Sequence, residues 1–264
     1  MTPPDPVLRG KAVLVTGSSS GTGAAIAREL GRRGARVAVH CRRSIAAAES
    51  VAAGIRNGGG DAAAFAADLG NSQQLRDLAR AVDARFGAID VLVNNAGPFT
   101  DTPFRTLGEA EWDSVMAVNL KAPYLLSQLL APGMQRLGAG RIINIGATSA
   151  FVRTHSVYGL AKAALLHLTE SLALELAPKI LVNAVVPSQI ASARTDTMPA
   201  YRQAAIDSTP LGRLVTEAEV ARMVGLLCTP EFVFVTGRAI IMDGGRTLPR
   251  FPSIGSELAK PHAP

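Results

Sequence analysis

The amino-acid sequence predicts an α/β protein with a single domain, in which helices cover both faces of a doubly wound parallel sheet of about seven strands. Two observations lead to this fold class. Short runs that are apolar almost throughout alternate along the chain with longer segments of helical periodicity, as expected for strands buried on both faces. The chain is also long enough, at 264 residues of which 48% are apolar, to bury one large core.

The individual elements follow from these runs. We expect strands at 12–16, 36–40, 63–67, 91–94, 141–145, 181–186 and 239–242. We expect helices at 23–34, 45–57, 72–86, 109–137, 156–176 and 217–227. Asn71 can cap the third helix, Thr216 and Glu219 can form a capping box for the last, and Pro178 ends the fifth.

One domain is expected at 11–246, with an N-terminal arm at 1–10 and a C-terminal tail at 247–264. The tail contains four prolines and little periodicity. We expect it to be disordered, the alternative being an extension that packs over a neighbouring subunit.

Composition argues against several classes of function. The net charge is +6, but no basic run exceeds two residues, so we expect no nucleic-acid partner. No apolar stretch is long enough for a membrane span, and the N-terminus lacks the apolar core of a signal peptide. Two cysteines far apart, Cys41 and Cys228, fit a reduced cytoplasmic protein. The four histidines show no metal-ligand spacing, so we expect no metal site.

A glycine-rich turn joins the first predicted strand to the first predicted helix. It reads Thr16-Gly17-Ser18-Ser19-Ser20-Gly21-Thr22-Gly23. Glycines allow a tight turn and the close approach of a pyrophosphate, and the free N–H groups of a helix N-terminus favour that anion. We therefore predict a phosphate site on these loop residues: Gly17, Ser19, Ser20, Gly21, Thr22 and Gly23.

The T-G-x-x-x-G-x-G spacing of this turn resembles the short-chain dehydrogenase/reductase family. Further motifs of that family follow in order: Asn94-Asn95-Ala96-Gly97, then Asn119, then Tyr158-x-x-x-Lys162, and finally Asp243-Gly244-Gly245. The resemblance extends over residues 11–246. It implies a Rossmann-type fold, a nicotinamide cofactor, and a homo-oligomer, with a tetramer favoured over a dimer. The small residues Ala161, Ala163 and Ala164 would permit close helix packing in that oligomer.

The end of the second strand bears on the choice between NAD(H) and NADP(H). An acidic residue there binds the ribose hydroxyls and repels a 2′-phosphate. In this chain that position is Cys41, and Arg42, Arg43 and Ser44 follow it. Two guanidinium groups and a hydroxyl suit a dianionic phosphate, so we predict NADP(H) as the cofactor.

The resemblance implies the rest of the cofactor site. Asp68 matches the position that contacts the adenine, and Ile190 matches the one that meets the nicotinamide amide through its backbone. Ser188 stands where the family usually has glycine. The implied positions outside the phosphate loop and the arginine pair are Asp68, Leu69, Asn95, Ala96, Gly97, Tyr158, Lys162, Pro187, Ser188 and Ile190.

Tyr158 and Lys162 are the expected catalytic pair. Their spacing of four residues places both on one face of a helix. A neighbouring ammonium should lower the pKa of the tyrosine, so that Tyr158 can give its proton to a substrate carbonyl as hydride arrives from NADPH. By the resemblance, Lys162 also holds the nicotinamide ribose, and Asn119 anchors a water that relays protons to Lys162.

One catalytic residue of the family is missing. The usual serine after the fifth strand corresponds to Ala147, which cannot donate a hydrogen bond. Losing such a donor costs about 3–4 kcal/mol of transition-state stabilisation. We predict that Ser149 replaces it, with Thr148 as the alternative and Ser156 as a further candidate.

The expected function is NADPH-dependent reduction of a small ketone or other carbonyl, such as a 3-oxoacyl compound or a diketone. Residues 192–209 should form a lid, and Pro98, Phe99, Phe104, Phe151 and Val152 an apolar wall. The segment Pro210-Leu211-Gly212-Arg213 is similar to 3-oxoacyl carrier-protein reductases, whereas residues 39–44 and 173–178 are similar to pteridine reductases. The alternatives are therefore a pteridine or imine reductase, a non-catalytic NADP(H)-binding sensor, or lyase or epimerase chemistry on the same scaffold.

Overall fold

The computed structural model of the protein describes residues 7–152 and 155–248. The strands of this part of the chain are β1 (Ala12–Val15), β2 (Arg36–Cys41), β3 (Asp61–Ala66), β4 (Val91–Asn94), β5 (Gly140–Ile145), β6 (Ile180–Pro187), β7 (Ile190–Ala191), β8 (Val215–Thr216) and β9 (Ala239–Met242). Seven of them form one parallel sheet in the order β3-β2-β1-β4-β5-β6-β9, and β7 pairs with β8. The predicted fold class is confirmed.

Helices cover both faces of this sheet. Their bounds are α1 (Gly21–Arg32), α2 (Ile45–Asn57), α3 (Ser72–Phe86), α4 (Glu109–Met116), α5 (Ala122–Arg136), α6 (Val157–Leu176), α7 (Ala193–Asp196), α8 (Pro199–Asp207) and α9 (Glu217–Leu227). Apolar residues of α1, α2 and α9 form one core with the sheet, and those of α3, α5 and the end of α6 form the other. The continuously apolar strands are explained by this double coverage.

The strand order reverses between β1 and β4. Chain connections leave these two neighbouring strands in opposite directions, which opens a crevice at their carboxyl ends. The phosphate loop follows β1, and the Asn95-Ala96-Gly97 segment follows β4, so the topology brings both predicted motifs to this crevice.

The caps that we predicted are confirmed. The Asn71 side chain accepts hydrogen bonds from the N–H groups of Gln73 and Gln74, and Thr216 and Glu219 form a capping box on α9. The predicted helix at 109–137 is not one α-helix, because a π-helical turn at Ala117–Lys121 separates α4 from α5. The predicted lid contains two short helices, α7 and α8.

The arm that we placed at 1–10 is described from Val7 onward. Leu8 is buried in the core beneath α1, and its N–H donates to the carbonyl of Arg33, so this end of the arm packs on the domain. The part of the predicted tail from residue 249 onward lies outside the described residues. Within the described ranges, no helix has the length and apolar character needed to cross a bilayer.

Candidate active site

Two glycines shape the phosphate loop between β1 and α1. Gly17 and Gly21 have φ values of +63° and +55°, a region that disfavours other residues. The Ser18 hydroxyl donates to the Val15 carbonyl at 2.7 Å and accepts from the His40 N–H at 2.9 Å. These bonds fasten the loop to the ends of β1 and β2.

His40, a residue that sequence reasoning did not single out, connects two parts of the predicted cofactor site. Its Nδ1 accepts from the Gly17 N–H at 2.9 Å, and its Nε2 lies 3.0 Å from the Ala67 carbonyl. The first contact requires an unprotonated Nδ1, so His40 is neutral with its proton on Nε2. Burial favours this form by lowering the pKa of His40, against the opposing effects of its bond to Ala67 and the charge of Asp68.

We expect His40 to give the protein a measurable loss of stability in mild acid. Below pH 6.5 the unfolded chain protonates this histidine before the folded chain does, so the free energy of unfolding falls as the pH falls towards the lower folded-state pKa. In His40→Leu the plot of unfolding free energy against pH should be flatter below pH 6.5. Stability at neutral pH should be lower, because Gly17 and Ala67 lose a partner. Urea unfolding at several pH values measures both effects. An unchanged pH dependence in the variant would contradict the neutral state of His40.

The end of β4 is bonded directly to the phosphate loop. The Asn95 side chain donates to the carbonyl oxygens of Thr16 and Gly17, at 2.9 and 3.2 Å. The Thr16 hydroxyl in turn accepts from the N–H groups of Asn95 and Ala96, both at 3.0 Å. Asn95 and Ala96 therefore hold the loop in the crevice, and Gly97 follows beside Asn119.

The arginine pair lies at the carboxyl end of β2. Arg42, Arg43 and Ser44 are exposed, and within the described ranges neither guanidinium has a hydrogen-bond or ion-pair partner. Cys41 is buried, and burial raises the pKa of its thiol, so this position carries no negative charge. On the neighbouring strand end, Asp68 is half-buried and accepts from the Gly70 N–H at 2.9 Å.

Tyr158 and Lys162 lie on the same face of α6, as predicted. The Lys162 ammonium is buried, donates to the Ile145 carbonyl at 2.8 Å and lies 5.6 Å from the centre of the Tyr158 ring. The Tyr158 hydroxyl has no hydrogen-bond partner among the described residues. Its position leaves the phenol free to bond a ligand.

The pKa of Tyr158 is shifted in the direction opposite to the one that we expected. Burial raises the pKa of Tyr158 to about 12, and only the positive charge of Arg194 opposes this effect. Burial also lowers the pKa of Lys162 to about 8. Loss of solvent is therefore the main effect on both groups, and Tyr158 stays protonated at neutral pH.

Asn119 occupies the π-helical turn between α4 and α5. Its side-chain N–H₂ donates to the carbonyls of Pro98 and Val115, at 3.0 and 3.1 Å, while its buried Oδ1 has no partner within the described residues. A Cβ on Gly97 would lie 2.1 Å from that oxygen, so only glycine leaves it room. Such π-helical turns are often found at functional sites, and an unpaired buried oxygen suits the predicted water.

A cavity of about 170 Å³ joins the phosphate loop to the catalytic pair. It is lined by Thr22, Asn95, Gly97, Ile145, Gly146, Ala147, Tyr158, Lys162, Pro187, Ser188 and Ile190. The structure thus brings together residues that we predicted to bind the cofactor and residues that we predicted to act on the substrate. This cavity and the arginines at the neighbouring end of β2 lie at the same carboxyl edge of the sheet, an arrangement that fits a dinucleotide.

The three hydroxyl candidates for the missing serine differ in their contacts. Ala147 lines the cavity, whereas Thr148 and Ser149 lie in the following 3₁₀ turn, Thr148–Ala150. The Ser149 Oγ is buried and has no partner within the described part of the chain. The Ser156 side chain accepts from the Gly159 N–H at 3.2 Å and so caps α6.

The predicted apolar wall is only partly as expected. The Phe99 ring lies edge-on to Tyr158, with ring centres 5.2 Å apart, and the guanidinium of Arg194 lies 4.5 Å from the centre of Phe99. Phe104 contacts His155 instead. Phe151 borders a different cavity, between α6 and β9, because the 3₁₀ turn directs it away from Tyr158.

Comparisons with known proteins agree with this site. A family described as enoyl-(acyl carrier protein) reductase matches residues 17–247. Nodulation protein G of Rhizobium sp. (strain N33) is 38% identical over 244 residues, which cover 90% of this chain and 97% of that protein. A 3-oxoacyl-[acyl-carrier-protein] reductase of Staphylococcus aureus (strain Mu50) is 35% identical over 239 residues, covering 89% and 97%.

Solved structures show the same relationship. A short-chain dehydrogenase/reductase of Serratia marcescens superposes with a TM-score of 0.87 at 34% identity, covering 91% of this chain and 99% of that one. A gluconate 5-dehydrogenase of Burkholderia cenocepacia, in complex with NADP and tartrate, gives 0.85 at 29% identity, covering 92% and 97%. The chain belongs to the short-chain dehydrogenase/reductase family. It is an NAD(P)-dependent oxidoreductase.

Proposed function

We propose that the protein reduces a small ketone with NADPH. The observation that carries this proposal is the single cavity in which Tyr158 and Lys162 adjoin Thr22 of the phosphate loop and Ile190 of β7. A proton donor, a buried cation and a dinucleotide cradle in one cavity are the parts that a carbonyl reductase needs. The related 3-oxoacyl-[acyl-carrier-protein] reductases support a carbonyl substrate, and 3-oxoacyl compounds and diketones are our first candidates.

Each residue has a distinct part in the proposed reaction. When bound, the reduced nicotinamide supplies the hydride. Tyr158 holds the proton that passes to the carbonyl oxygen, because its phenol stays neutral until negative charge forms there. Lys162 places a positive charge beside that phenol and holds the ribose. Once Tyr158 has given up its proton, Lys162 supplies a replacement, and Asn119 binds the water through which Lys162 in turn regains a proton.

We propose Ser149 as the second hydrogen-bond donor to the carbonyl. Its buried Oγ lacks a partner within the described residues, and native structures normally satisfy such a group with a water molecule or a ligand. Thr148 remains the alternative. Ser156 is less suited, because the bond that its hydroxyl accepts from the Gly159 N–H holds its side chain at the start of α6.

We propose NADP(H) over NAD(H) on the basis of the second strand end. Arg42 and Arg43 are exposed and unpaired within the described residues, Ser44 follows them, and buried Cys41 carries no charge that would repel a phosphate. The adenine would lie against Asp68 and Leu69, and the pyrophosphate against Gly17, Ser19, Ser20, Gly21, Thr22 and Gly23. The gluconate 5-dehydrogenase that resembles this fold binds NADP.

We expect Arg42→Ala to weaken NADPH binding by about 10–100-fold, because it removes a charge-assisted hydrogen bond to the 2′-phosphate. The affinity for NADH, which lacks that phosphate, should stay the same. Titration of each cofactor by calorimetry measures both values, and Arg76→Ala, an exposed arginine on α3, is the control. Equal losses for the two cofactors would contradict a 2′-phosphate site at this position.

The function is tested by following NADPH oxidation with a panel of carbonyl compounds. The panel contains β-ketoesters, diketones, quinones, dihydropterins and cyclic imines. Reduction of ketones supports the proposal, whereas reduction of dihydropterins or imines alone would favour the pteridine or imine alternative. Tight NADPH binding without turnover would favour a sensor. Product formation without net NADPH consumption would favour lyase or epimerase chemistry.

We also propose a homo-oligomer, with a tetramer favoured over a dimer. Exposed apolar side chains support it: Leu174 on α6 is 85% exposed, and Tyr124 on α5 and Ile241 on β9 are also exposed. We expected Ala161 to contribute to such a surface, but it is buried inside the subunit against Val115 and Val157.

We also propose a cytoplasmic location, which the free, buried thiols of Cys41 and Cys228 support.

A further inference from the structure

Arg194 lies beside the catalytic tyrosine but has no role in the reaction described so far. Its guanidinium is 4.5 Å from the centre of the Phe99 ring, and that ring is in edge contact with Tyr158 at 5.2 Å. The three groups form a continuous chain of contacts from the proton donor to the lid. The side chain of Arg194 is exposed, so its charge is accessible to a ligand that approaches Tyr158 from solvent.

The backbone that carries Arg194 is fixed in place. Ser192 and Thr195 form a capping box on α7, the short helix that contains Arg194. The Thr195 hydroxyl also donates to the Ile190 carbonyl at 3.1 Å. Because Ile190 lines the cavity with Tyr158, these bonds hold α7 at the edge of the site.

Within the described ranges, no carboxylate neutralises Arg194. In the lid, Asp196 pairs with Arg202 at 3.4 Å, and Asp207 accepts from Gln203 at 2.7 Å. In the segment after Phe99, Glu111 accepts from Thr100 and from Thr102, and exposed Asp101 makes no ion pair with Arg194. The cleft therefore presents two cationic groups, Arg194 outside and Lys162 inside.

We infer that Arg194 binds an anionic group of the substrate, so that the substrate is an oxo compound with a carboxylate or phosphate close to its carbonyl. A guanidinium is suited to both groups, because its parallel N–H donors match their oxygens. The contact with the Phe99 ring orients the guanidinium of Arg194 and leaves its N–H donors free for a ligand. The positive charge of Arg194 also opposes the rise in the pKa of Tyr158, which agrees with its position beside the proton donor.

The experiment compares compounds that differ only in the anionic group. Acetoacetate is paired with methyl acetoacetate, and dihydroxyacetone phosphate with dihydroxyacetone. In Arg194→Ala we expect kcat/KM for the favoured anion to fall about 10–100-fold, as for loss of a charge-assisted hydrogen bond, with its neutral partner unchanged. Arg194→Lys should recover part of the loss. The pair in which only the anionic compound loses kcat/KM shows whether Arg194 binds a carboxylate or a phosphate.

The matched control is Arg202→Ala, which removes a lid arginine that already has a carboxylate partner. It should leave the ratio of anion to neutral kcat/KM as in the wild type. If Arg194→Ala lowers kcat/KM equally for the anionic and the neutral compound of each pair, Arg194 only packs on Phe99. If kcat/KM falls for neither compound, Arg194 does not take part in substrate binding. Both results overturn the inference.

A second measurement keeps this inference separate from the proposed reaction, on which it rests. Acetoacetate and dihydroxyacetone phosphate are titrated into the NADPH complex of Tyr158→Phe, and into the same complex with Arg194→Ala added. We expect one anion to bind only when Arg194 is present, whether or not turnover occurs. Binding of neither anion overturns the inference even if neutral ketones are reduced. Absence of all turnover, with anion binding intact, overturns the proposed reaction alone.

Discussion

Tyr158→Phe should reduce the rate of carbonyl reduction by about 10²–10⁴-fold, the usual contribution of a positioned general acid. The substitution removes only the hydroxyl, and that hydroxyl has no protein partner within the described residues. The aromatic ring, with its edge contact to Phe99, is retained. We therefore expect normal folding and NADPH binding together with a low kcat, measured by NADPH oxidation.

The control for this variant is Tyr124→Phe, which removes the hydroxyl of an exposed tyrosine on α5. Its kcat should equal that of the wild type. A Tyr158→Phe enzyme with normal kcat would show that the proton comes from another group. Ser149→Ala would then be the next variant to measure.

Among glycine-to-alanine substitutions in the phosphate loop, Gly23→Ala should disturb the proposed cofactor site most. A Cβ at this position would lie 2.3 Å from the Gly17 carbonyl oxygen and 2.5 Å from the Asn95 side-chain nitrogen. Neither atom can retreat easily, because Asn95 is bonded to both Thr16 and Gly17. Overpacking of this kind costs about 1–3 kcal/mol or more, so we expect a lower melting temperature and at least a tenfold loss of NADPH affinity.

Gly54→Ala provides the matched control, since Gly54 also lies in a helix that packs on the same face of the sheet. A Cβ there meets no atom within 4 Å. Alanine in an exposed helix interior should increase the free energy of unfolding by about 0.5–1 kcal/mol. Thermal unfolding and NADPH titration of both variants test the contrast. Equal melting temperatures and equal NADPH affinities for the two variants would show that the loop can accommodate a Cβ at position 23, contrary to the structure.

The sheet, its strand positions and the approximate bounds of the helices could be predicted from the sequence, because apolar runs and capping residues are local signals. The π-helical turn at Asn119 could not, since no residue type marks such a turn in the way that a capping residue or a proline marks a helix end. The sequence also does not show how much solvent a group loses, and this explains the wrong sign for the pKa of Tyr158.

The positions in the fold of most candidate cofactor residues could be predicted, because these residues follow the ends of strands. Contacts between distant segments could not be predicted. His40 looked like an ordinary strand residue, yet it bonds to both Gly17 and Ala67. Arg194 was one of several lid residues until the structure placed it against Phe99. Phe151 was assigned to the substrate wall from proximity in sequence, but its turn directs it elsewhere.

The bonds from His40 and Asn95 to the phosphate loop have a consequence for the thermodynamics of cofactor binding. The loop is already fixed before the dinucleotide arrives, because Gly17 is held on one side by His40 and on the other by Asn95. Little conformational entropy then has to be lost on association, so more of the interaction energy appears as affinity. In the proposed reaction, a preorganised loop would need no slow rearrangement, so the exchange of oxidised for reduced cofactor would be limited by diffusion and by the contacts of each cofactor.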